Sequence, residues 1–336
     1  MKAPRQVTAI VPVAGSGTRL RPHTHSYPKV LLAVGGKPIL GHITDQLMGA
    51  GVNRIVFVVG QFGDKVRAYI SKTYPKLEAV FVEQEHPLGL GHAIWTARAE
   101  VRGSVLILLG DTILAADMKR FSVCDCNKIG VREVADPRRF GVVELKKGFI
   151  SKMVEKPQHP RSNLAIVGVY SFADSRPLFA SLEREVQRAR RGDGEIQLTN
   201  ALMDMVRAGA KIKAVAIDGW YDCGKPDALL ATNRYLLDLE RGNPPRKFSG
   251  SLIIPPVHIA SGAKINRSII GPYVSVGAGA EISNAVVRDS IINENAILDN
   301  VVMEGSLVGP SAVFHDNRRR VNIGESSEII LGGGQD

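Results

Sequence analysis

The 336-residue chain has few cysteines, few aromatic residues and no long apolar run, and each shortage argues against a class of protein. Three cysteines are too few for a disulfide framework, and Cys124 and Cys126 lack a second pair that would complete a zinc site. No apolar run approaches membrane-spanning length, and the first residues show no basic-then-apolar leader. We therefore expect a protein of the reducing cytoplasm without a membrane partner.

The scarcity of aromatic residues, 6% of the chain, bears on the meaning of its net charge of +10. A basic protein can bind nucleic acid or phosphorylated small molecules. The sequence contains no stripe in which basic and aromatic residues alternate. We therefore expect phosphorylated substrates and no nucleic-acid partner.

Strand and helix patterns alternate through residues 1–110, as in folds built on a parallel sheet. The patterns predict strands at 7–13, 54–59, 79–82 and 105–109, and helices at 39–50, 64–74 and 92–100. They indicate an α/β, Rossmann-like domain with a mostly parallel sheet. Ligands of such sheets bind beyond the carboxyl ends of the strands, where Gly15 and Asp111 fall.

The pattern changes after residues 241–250, which have the composition of a linker. Aliphatic residues then recur every five or six positions, at Ile259, Ile265, Ile270, Val276, Ile282, Val287, Ile292 and Ile297. This period is typical of a parallel β-helix with about 18 residues per coil, and it resembles the left-handed, hexapeptide-repeat type. Short strands in a sandwich are the alternative. The predicted organisation is an α/β domain (1–240), a linker (241–250), a β-helix (251–316) and a tail (317–336).

A strand followed by a glycine-rich loop is the most informative motif of the sequence. Small residues at 14–18 follow the first strand, and their backbone N–H groups can converge on a polyanion because bulky side chains are missing. Arg19 and Lys29 add positive charge. The motif fits nucleotide phosphates, although a plain strand-to-helix turn is the simpler alternative.

Neither common phosphate motif matches this loop, but a third one does. Leu20 replaces the last glycine of a dinucleotide fingerprint, and a proline follows each Gly-Lys pair, at Pro38 and at Pro226, so a P-loop is excluded. Residues 15–22, together with Pro28 and Lys29, resemble the signature of the sugar-1-phosphate nucleotidyltransferases, although Ala14 stands where many members carry glycine. The resemblance implies catalytic roles for Arg19 and Lys29 and nucleotide binding by Ala14, Gly15, Ser16, Gly17 and Thr18.

Two further motifs contain the aspartates expected to bind metal. Asp111 ends the most apolar strand, and a carboxylate at that position suits a hard cation such as Mg²⁺. In the family resembled, an L-G-D aspartate and a W-x-D-x-G aspartate hold the metal together, which implies Asp111 and Asp222 as ligands. An Asx-turn is the alternative for Asp222, and a simple turn is the alternative for Asp111.

Substrate contacts are implied by the same resemblance. In the E-K-P motif, Glu155 is expected to bind sugar hydroxyls, and Lys156 is expected to be catalytic and to contact the sugar phosphate. Gly141 and Ile166 are expected to line the sugar pocket. Isolated, such a Glu-Lys pair is usually a surface ion pair. Gln84 and Gly89 resemble the segment that reads the base, because an amide offers a donor beside an acceptor, as the imide edge of thymine or uracil requires.

The reaction implied by the resemblance is Mg²⁺-dependent transfer of a nucleotidyl group from dTTP or UTP to a sugar 1-phosphate, with glucose 1-phosphate expected. The chain most resembles the long-form glucose-1-phosphate thymidylyltransferases, and we expect a homo-oligomer formed through the β-helix. Three alternatives remain at this stage: a mannose-1-phosphate guanylyltransferase, a bifunctional uridylyltransferase and acetyltransferase, and a non-catalytic regulatory subunit that binds nucleotide-sugar.

Overall fold

The computed structural model describes residues 7–190, 194–239 and 247–316. The chain divides into two compact units, with the boundary between residues 243 and 244. Most of the predicted linker and the whole of the predicted tail, 317–336, lie outside the described residues. No helix in the described ranges is long and apolar enough to cross a membrane.

The first unit contains a nine-stranded sheet and two small two-stranded sheets. Its strands are β1 (Thr8–Pro12), β2 (Ala33–Val34), β3 (Lys37–Pro38), β4 (Arg54–Val59), β5 (Glu78–Glu83), β6 (Val105–Leu108), β7 (Thr112–Ala115), β8 (Asn127–Glu133), β9 (Gly141–Lys146), β10 (Phe149–Glu155), β11 (Leu164–Phe172), β12 (Ile212–Ala216) and β13 (Gly219–Asp222). Its helices are α1 (Ile39–Gly49), α2 (Gly63–Thr73), α3 (Leu90–Thr96), α4 (Lys119–Ser122), α5 (Arg176–Ala189), α6 (Leu198–Arg207) and α7 (Pro226–Leu239).

The large sheet has the strand order β5-β4-β1-β6-β11-β8-β12-β10-β9. Strands β5, β4, β1 and β6 are parallel, as predicted, and each lies close to its predicted position. The prediction of a mostly parallel sheet is nevertheless wrong for the sheet as a whole. Beyond β6 the pairs β6–β11, β11–β8, β12–β10 and β10–β9 are antiparallel, and only β8–β12 is parallel. Only β9 and β10 are consecutive in sequence, and the other antiparallel pairs join strands that are separated along the chain.

One face of this sheet is covered by α3, α5 and α6. Ile94 of α3, Leu182 of α5 and Leu202 of α6 belong to the same buried cluster as strand residues Ile10 and Ile107. These apolar residues of each helix recur at helical spacing, so they form a stripe that faces the sheet. The packing fixes the carboxyl ends of the parallel strands, and the loops that follow them, on a rigid base.

The second unit is built from short strands that visit three parallel sheets in turn. Each sheet has four strands, in the orders β14-β17-β20-β23, β15-β18-β21-β24 and β16-β19-β22-β25. These strands are β14 (Leu252–Ile253), β15 (Val257–Ile259), β16 (Lys264–Asn266), β17 (Ile269–Ile270), β18 (Val274–Val276), β19 (Glu281–Ser283), β20 (Val286–Val287), β21 (Ile291–Ile292), β22 (Ile297–Asp299), β23 (Val302–Met303), β24 (Leu307–Val308) and β25 (Val313–His315). The arrangement is consistent with a β-helix of four coils.

The coils are shorter than predicted. Leu252 pairs with Ile269, Ile269 with Val286, and Val286 with Val302, so the repeat is 16 or 17 residues instead of about 18. The predicted core positions from Ile265 to Ile292 are buried, but Ile297 is half-exposed and its neighbour Leu298 fills the core. Leu298 is the register partner of the buried Ile282, whereas Ile297 pairs with Glu281 and Val313, which are both exposed, so the inward position is 298. The handedness of the coil remains a prediction.

The β14-β17-β20-β23 sheet also carries an outward row of aliphatic side chains. We call Leu252, Ile269, Val286 and Val302 the aliphatic ladder; they are register partners, one on each coil. Leu252 is 56% exposed and Val302 is 83% exposed. Their neighbours Ile270 and Val287 point inward and are fully buried, as the alternation of side chains along a strand requires.

Candidate active site

The carboxyl ends of the four parallel strands surround a cavity of about 600 Å³. We call it the larger cavity, because a smaller one adjoins it. Its walls come from the segments that follow β1 (residues 13–16), β4 (60–62), β5 (84–85) and β6 (109–111), together with Lys29 and Glu195. The volume is in the usual range for small-molecule sites. The expectation from sequence that both Gly15 and Asp111 lie at this edge is confirmed.

The loop after β1 leaves room at its centre. A Cβ added to Gly15 would meet no heavy atom within 4 Å, whereas Gly17 has a φ of +63° and lies against the Lys29 side chain. Glycine adopts this φ without strain, so the chain turns sharply there. The Thr24 hydroxyl donates to the Gly17 carbonyl over 2.8 Å and holds the turn. The predicted residues Ala14, Gly15 and Ser16 line the larger cavity, whereas Gly17 and Thr18 do not.

A smaller cavity of about 290 Å³ adjoins the larger one. Leu90, Leu109 and Asp111 line both. Among the predicted site residues, the smaller cavity is lined by Arg19, Asp111, Gly141, Glu155, Lys156, Ile166 and Asp222. The structure thus brings together residues as far apart in sequence as Arg19 and Asp222, with Asp111 at the junction.

Asp111 and Asp222 converge because β7 and β13 pair. Thr112 is the register partner of Asp222, and the Cys223 N–H donates to the Asp111 carbonyl over 2.9 Å. Burial raises the pKa of the Asp222 carboxyl, and the negative charge of Asp111 raises it further. Two carboxylates that repel each other at a cavity wall are a donor set that suits a divalent cation.

Lys29 forms an ion pair with Asp111 through its ammonium and Oδ2. Burial acts to raise the pKa of Asp111, but the charge and the hydrogen bond of Lys29, together with the Arg19 charge, hold that pKa below its ordinary value. Asp111 is therefore ionised. Asp222 Oδ1 accepts the Gly224 N–H over 2.9 Å, so the Asx-turn weighed from sequence is present, and the role of Asp222 as a metal ligand stays a prediction.

The residues that line the two cavities lie within one region of family similarity. The sequence model of the family described as nucleotidyl transferase matches residues 8–238. The chain belongs to the nucleotidyl transferase family. The predicted family and class of enzyme are confirmed, and the matched range contains both cavities.

Relatives of two kinds match this nucleotidyl transferase. A glucose-1-phosphate thymidylyltransferase of Streptomyces antibioticus is 32% identical over 96% of this chain and 99% of its own length. A bifunctional protein GlmU of Methanocaldococcus jannaschii is 36% identical, but the match spans 68% of this chain and 54% of that protein. Among solved structures, a UDP-glucose pyrophosphorylase in complex with UDP-glucose is 26% identical, with a TM-score of 0.61, over 69% of this chain and 98% of the other.

Gln84 of the nucleotidyl transferase lies in the larger cavity and is almost fully buried. Its amide nitrogen donates to the Gly89 carbonyl over 3.2 Å and lies 3.0 Å from His92 Nδ1. Burial lowers the pKa of His92, and the nearby His86 lowers it further, so the ring is neutral and Nδ1 can accept. When both amide hydrogens have these partners, the carboxamide oxygen is the acceptor left for a ligand. The pairing of the Gln84 amide with a base stays a prediction.

Gly89 closes the same corner of the larger cavity. Its φ is +104°, and a Cβ there would come within 2.4 Å of the Glu195 side chain. Glycine is thus required both by the backbone conformation and by the close approach of residues 195–196. The Gly91 N–H donates to the Ile196 carbonyl over 2.8 Å, and the Ile196 N–H donates to Leu88 over 2.7 Å. This pairing places Glu195 in the cavity wall.

In the smaller cavity the nucleotidyl transferase holds Glu155 by a hydrogen bond from the Thr199 hydroxyl, over 2.6 Å. Lys156 Nζ lies 3.8 Å from Glu155 Oε1, and the Lys156 side chain is 59% exposed. The surface ion pair weighed from sequence is therefore present, at the rim of the cavity. Gly141 faces Glu155, Ile166 and Thr199, each 3.1–3.3 Å from where its Cβ would lie. A side chain at position 141 would fill this space.

The sequence did not single out Glu195, Thr199 or Trp220 as individual site residues. Trp220 lines the smaller cavity, packs edge-on against Phe140 with ring centroids 4.6 Å apart, and buries an indole N–H that has no partner among the described residues. An unpartnered buried donor costs free energy unless a ligand accepts its hydrogen bond. The Trp-x-Asp spacing could have indicated Trp220, because Asp222, two residues on along the same strand, lines the same cavity.

Proposed function

We propose that this enzyme transfers a nucleotidyl group from dTTP or UTP to glucose 1-phosphate, giving the nucleoside diphosphate-sugar and pyrophosphate. The observation that carries the proposal is the meeting of two cavities at Asp111. The larger cavity has the volume and the glycine loop for a nucleoside triphosphate, and the smaller one has hydroxyl-binding groups for a sugar. The names of the thymidylyltransferase and the UDP-glucose pyrophosphorylase support this choice of substrates.

The acceptor sugar is proposed to lie in the smaller cavity. Glu155, already held by Thr199, accepts hydrogen bonds from sugar hydroxyls, and the Trp220 N–H donates to another. Lys156 stands at the rim as a partner for the sugar phosphate. One phosphate oxygen then faces the α-phosphorus of the nucleotide across Asp111, so the reaction depends on positioning and needs no protein nucleophile.

The negative charge of the reacting phosphates is proposed to be met by cations around the junction. Lys29 and Arg19 lie in the walls of the larger and smaller cavities, and both act on the Asp111 carboxylate. Asp111 and Asp222 would hold Mg²⁺, which when bound neutralises charge on the phosphate oxygens. No cluster of three or more metal-binding side chains occurs in the described part of the chain, so the substrates would complete the shell.

Release of pyrophosphate, measured for four nucleotides against several sugar 1-phosphates, tests the proposed function. We expect dTTP and UTP to be used in preference to GTP and ATP, with glucose 1-phosphate as the best acceptor. Mannose 1-phosphate with GTP as the best pair would favour the guanylyltransferase instead. No release with any pair would leave only a regulatory subunit.

Gln84→Ala is expected to weaken discrimination between bases. The Gln84 oxygen is the free acceptor for the N3–H of thymine or uracil, and a base edge left unpaired costs about 1–3 kcal/mol. The kcat/KM for dTTP should therefore fall by roughly one to two decades, with less effect on GTP. Gln61→Ala is the matched control, because Gln61 lines the same cavity but is exposed. Unchanged base preference in Gln84→Ala would refute this role.

We also propose that the enzyme is a homo-oligomer and that the aliphatic ladder meets the ladder of a second copy. Its residues repeat at the spacing of adjacent strands, about 4.8 Å, so two ladders can interdigitate. Arg267 is the only charged residue among those described that line the groove beside it. A row of exposed aliphatic side chains on a regular sheet is costly in water and typical of an interface.

Ile269→Asp combined with Val302→Asp is expected to dissociate the oligomer while preserving nucleotidyl transfer, because neither residue belongs to the first unit. Light scattering gives the mass of the particle. Val313→Asp is the control, since Val313 is 59% exposed but lies on a different sheet. The ladder is the wrong surface if only Val313→Asp dissociates the protein, and the whole proposal is wrong if the unmodified chain is monomeric.

A further inference from the structure

A third cavity, of about 320 Å³, lies at the opposite end of β6 from Asp111. It is lined by Arg98, Val101, Arg102, Gly103, Ser175, Arg176 and Phe179, and we call it the arginine cavity. Residues 101–103 precede β6, whereas Asp111 follows its carboxyl end. No residue of the arginine cavity lines either of the other two. The arginine cavity is therefore separate from the proposed active site, and its role does not depend on the proposed function.

Two of its arginines carry uncompensated charge. Arg98 stacks on Trp95, with the guanidinium 3.6 Å from the ring centroid, and donates to the Trp95 carbonyl over 3.3 Å. Arg102 donates only to backbone carbonyls, over 3.2 and 3.4 Å. Neither has a carboxylate partner within the described ranges. Both residues are exposed, and these contacts do not neutralise their guanidinium groups.

Arg176 is different, because Asp174 already binds it through Nε and Nη2. Asp174 is the one carboxylate among the described contacts of the arginine cavity, and its negative charge offsets the positive charge of Arg176. The cavity therefore keeps a net positive charge. An anion with two negative charges matches the two unpaired guanidinium groups.

Ser175 adds a hydroxyl donor to the wall of the arginine cavity. The residue is 2% exposed, lines the cavity, and precedes α5, yet its hydroxyl makes no hydrogen bond to any described residue. Its N–H donates to the Gly103 carbonyl over 2.8 Å, which fixes its position. The 14-residue helix α5 adds the partial positive charge of its N-terminus.

We propose that the arginine cavity binds the phosphoryl group of a small phosphorylated molecule. The phosphoryl oxygens accept hydrogen bonds from Arg98, Arg102 and the Ser175 hydroxyl. Val101 and Phe179 supply an apolar wall for the rest of the molecule. The volume lies at the low end of the range for small-molecule sites and exceeds what a phosphate ion fills, which favours a phosphate monoester over free phosphate.

Isothermal titration calorimetry on the full chain tests the proposal with two probes, glucose 6-phosphate and inorganic phosphate. The background is a Lys29→Gln, Lys156→Gln variant, which removes two cations from the other cavities. We expect one binding event, weakened about tenfold for each of Arg98→Gln and Arg102→Gln, and several-fold for Ser175→Ala. Tighter binding of glucose 6-phosphate identifies a monoester, and equal binding identifies phosphate as the ligand.

Arg120→Gln combined with Arg184→Gln is the matched control. Both residues are exposed and lie outside the arginine cavity. Their double substitution removes the same charge as the substitution of Arg98 and Arg102. Equal loss of affinity in the control would show a nonspecific effect of net charge and overturn the site, as would absence of binding in the background. Arg98→Gln also removes the stacking on Trp95, so its folding is checked by thermal unfolding. If Arg98→Gln does not fold, the affinities of Arg102→Gln and Ser175→Ala decide the outcome.

Discussion

Asp111→Asn is expected to lower the turnover of nucleotidyl transfer by at least a hundredfold while the protein remains folded. The substitution keeps the shape of the side chain and the backbone carbonyl that accepts the Cys223 N–H. It removes a negative charge at the point where the two cavities meet. Loss of one ligand charge lowers both metal affinity and transition-state stabilisation, which together amount to several kcal/mol. Pyrophosphate release, titrated with Mg²⁺, measures the effect.

The surface pair Lys37–Asp45 provides the control for this prediction. Asp45 also forms an ion pair with a lysine, but it is 44% exposed and lines neither cavity. Asp45→Asn should therefore leave turnover within about twofold, since exposed ion pairs contribute little. Near-normal turnover of a folded Asp111→Asn protein at low Mg²⁺ would contradict the metal assignment.

The features predicted best from the sequence are the positions of loops that directly follow a single strand. Gly15 and Asp111 each follow an apolar strand, and the parallel pairing of β1 with β6 is sufficient to bring their loops to one edge. The mixed half of the sheet could not be read in the same way. Its strands β8 and β12 pair in parallel although three other strands of the sheet lie between them along the chain, and no local pattern specifies such a partner.

The hydrogen bonds between side chains of the site could not be predicted from the sequence for a related reason. The Thr199 hydroxyl holds Glu155, and the His92 ring occupies the amide of Gln84, so the function of each predicted residue depends on a second residue. The arginine cavity is the extreme case. Arg98, Arg102 and Arg176 are scattered among other charges in sequence, and only the junction of β6 with the start of α5 brings them together. Net charge gives no information on this placement.

Lys29→Gln is expected to reduce kcat by roughly a hundred- to a thousandfold, the range found when one preorganised donor to a developing charge is removed. Lys29 is mostly buried, and its ammonium lies on Asp111 at the junction of the cavities. The position favours an interaction that strengthens as negative charge moves onto the departing pyrophosphate. KM for the nucleotide should rise less than kcat falls, because an interaction made mainly in the transition state affects kcat.

Steady-state kinetics with thermal unfolding separate this role from a structural one. Glutamine retains the aliphatic stem that packs against Gly17, so the loop should keep its turn and the unfolding temperature should change little. Lys37→Gln removes a lysine from the exposed ion pair with Asp45 and should leave kcat unchanged. A loss confined to KM would reduce Lys29 to a substrate-binding residue. An equal loss in Lys37→Gln would mean that general charge, and not the position of Lys29 beside Asp111, governs the rate.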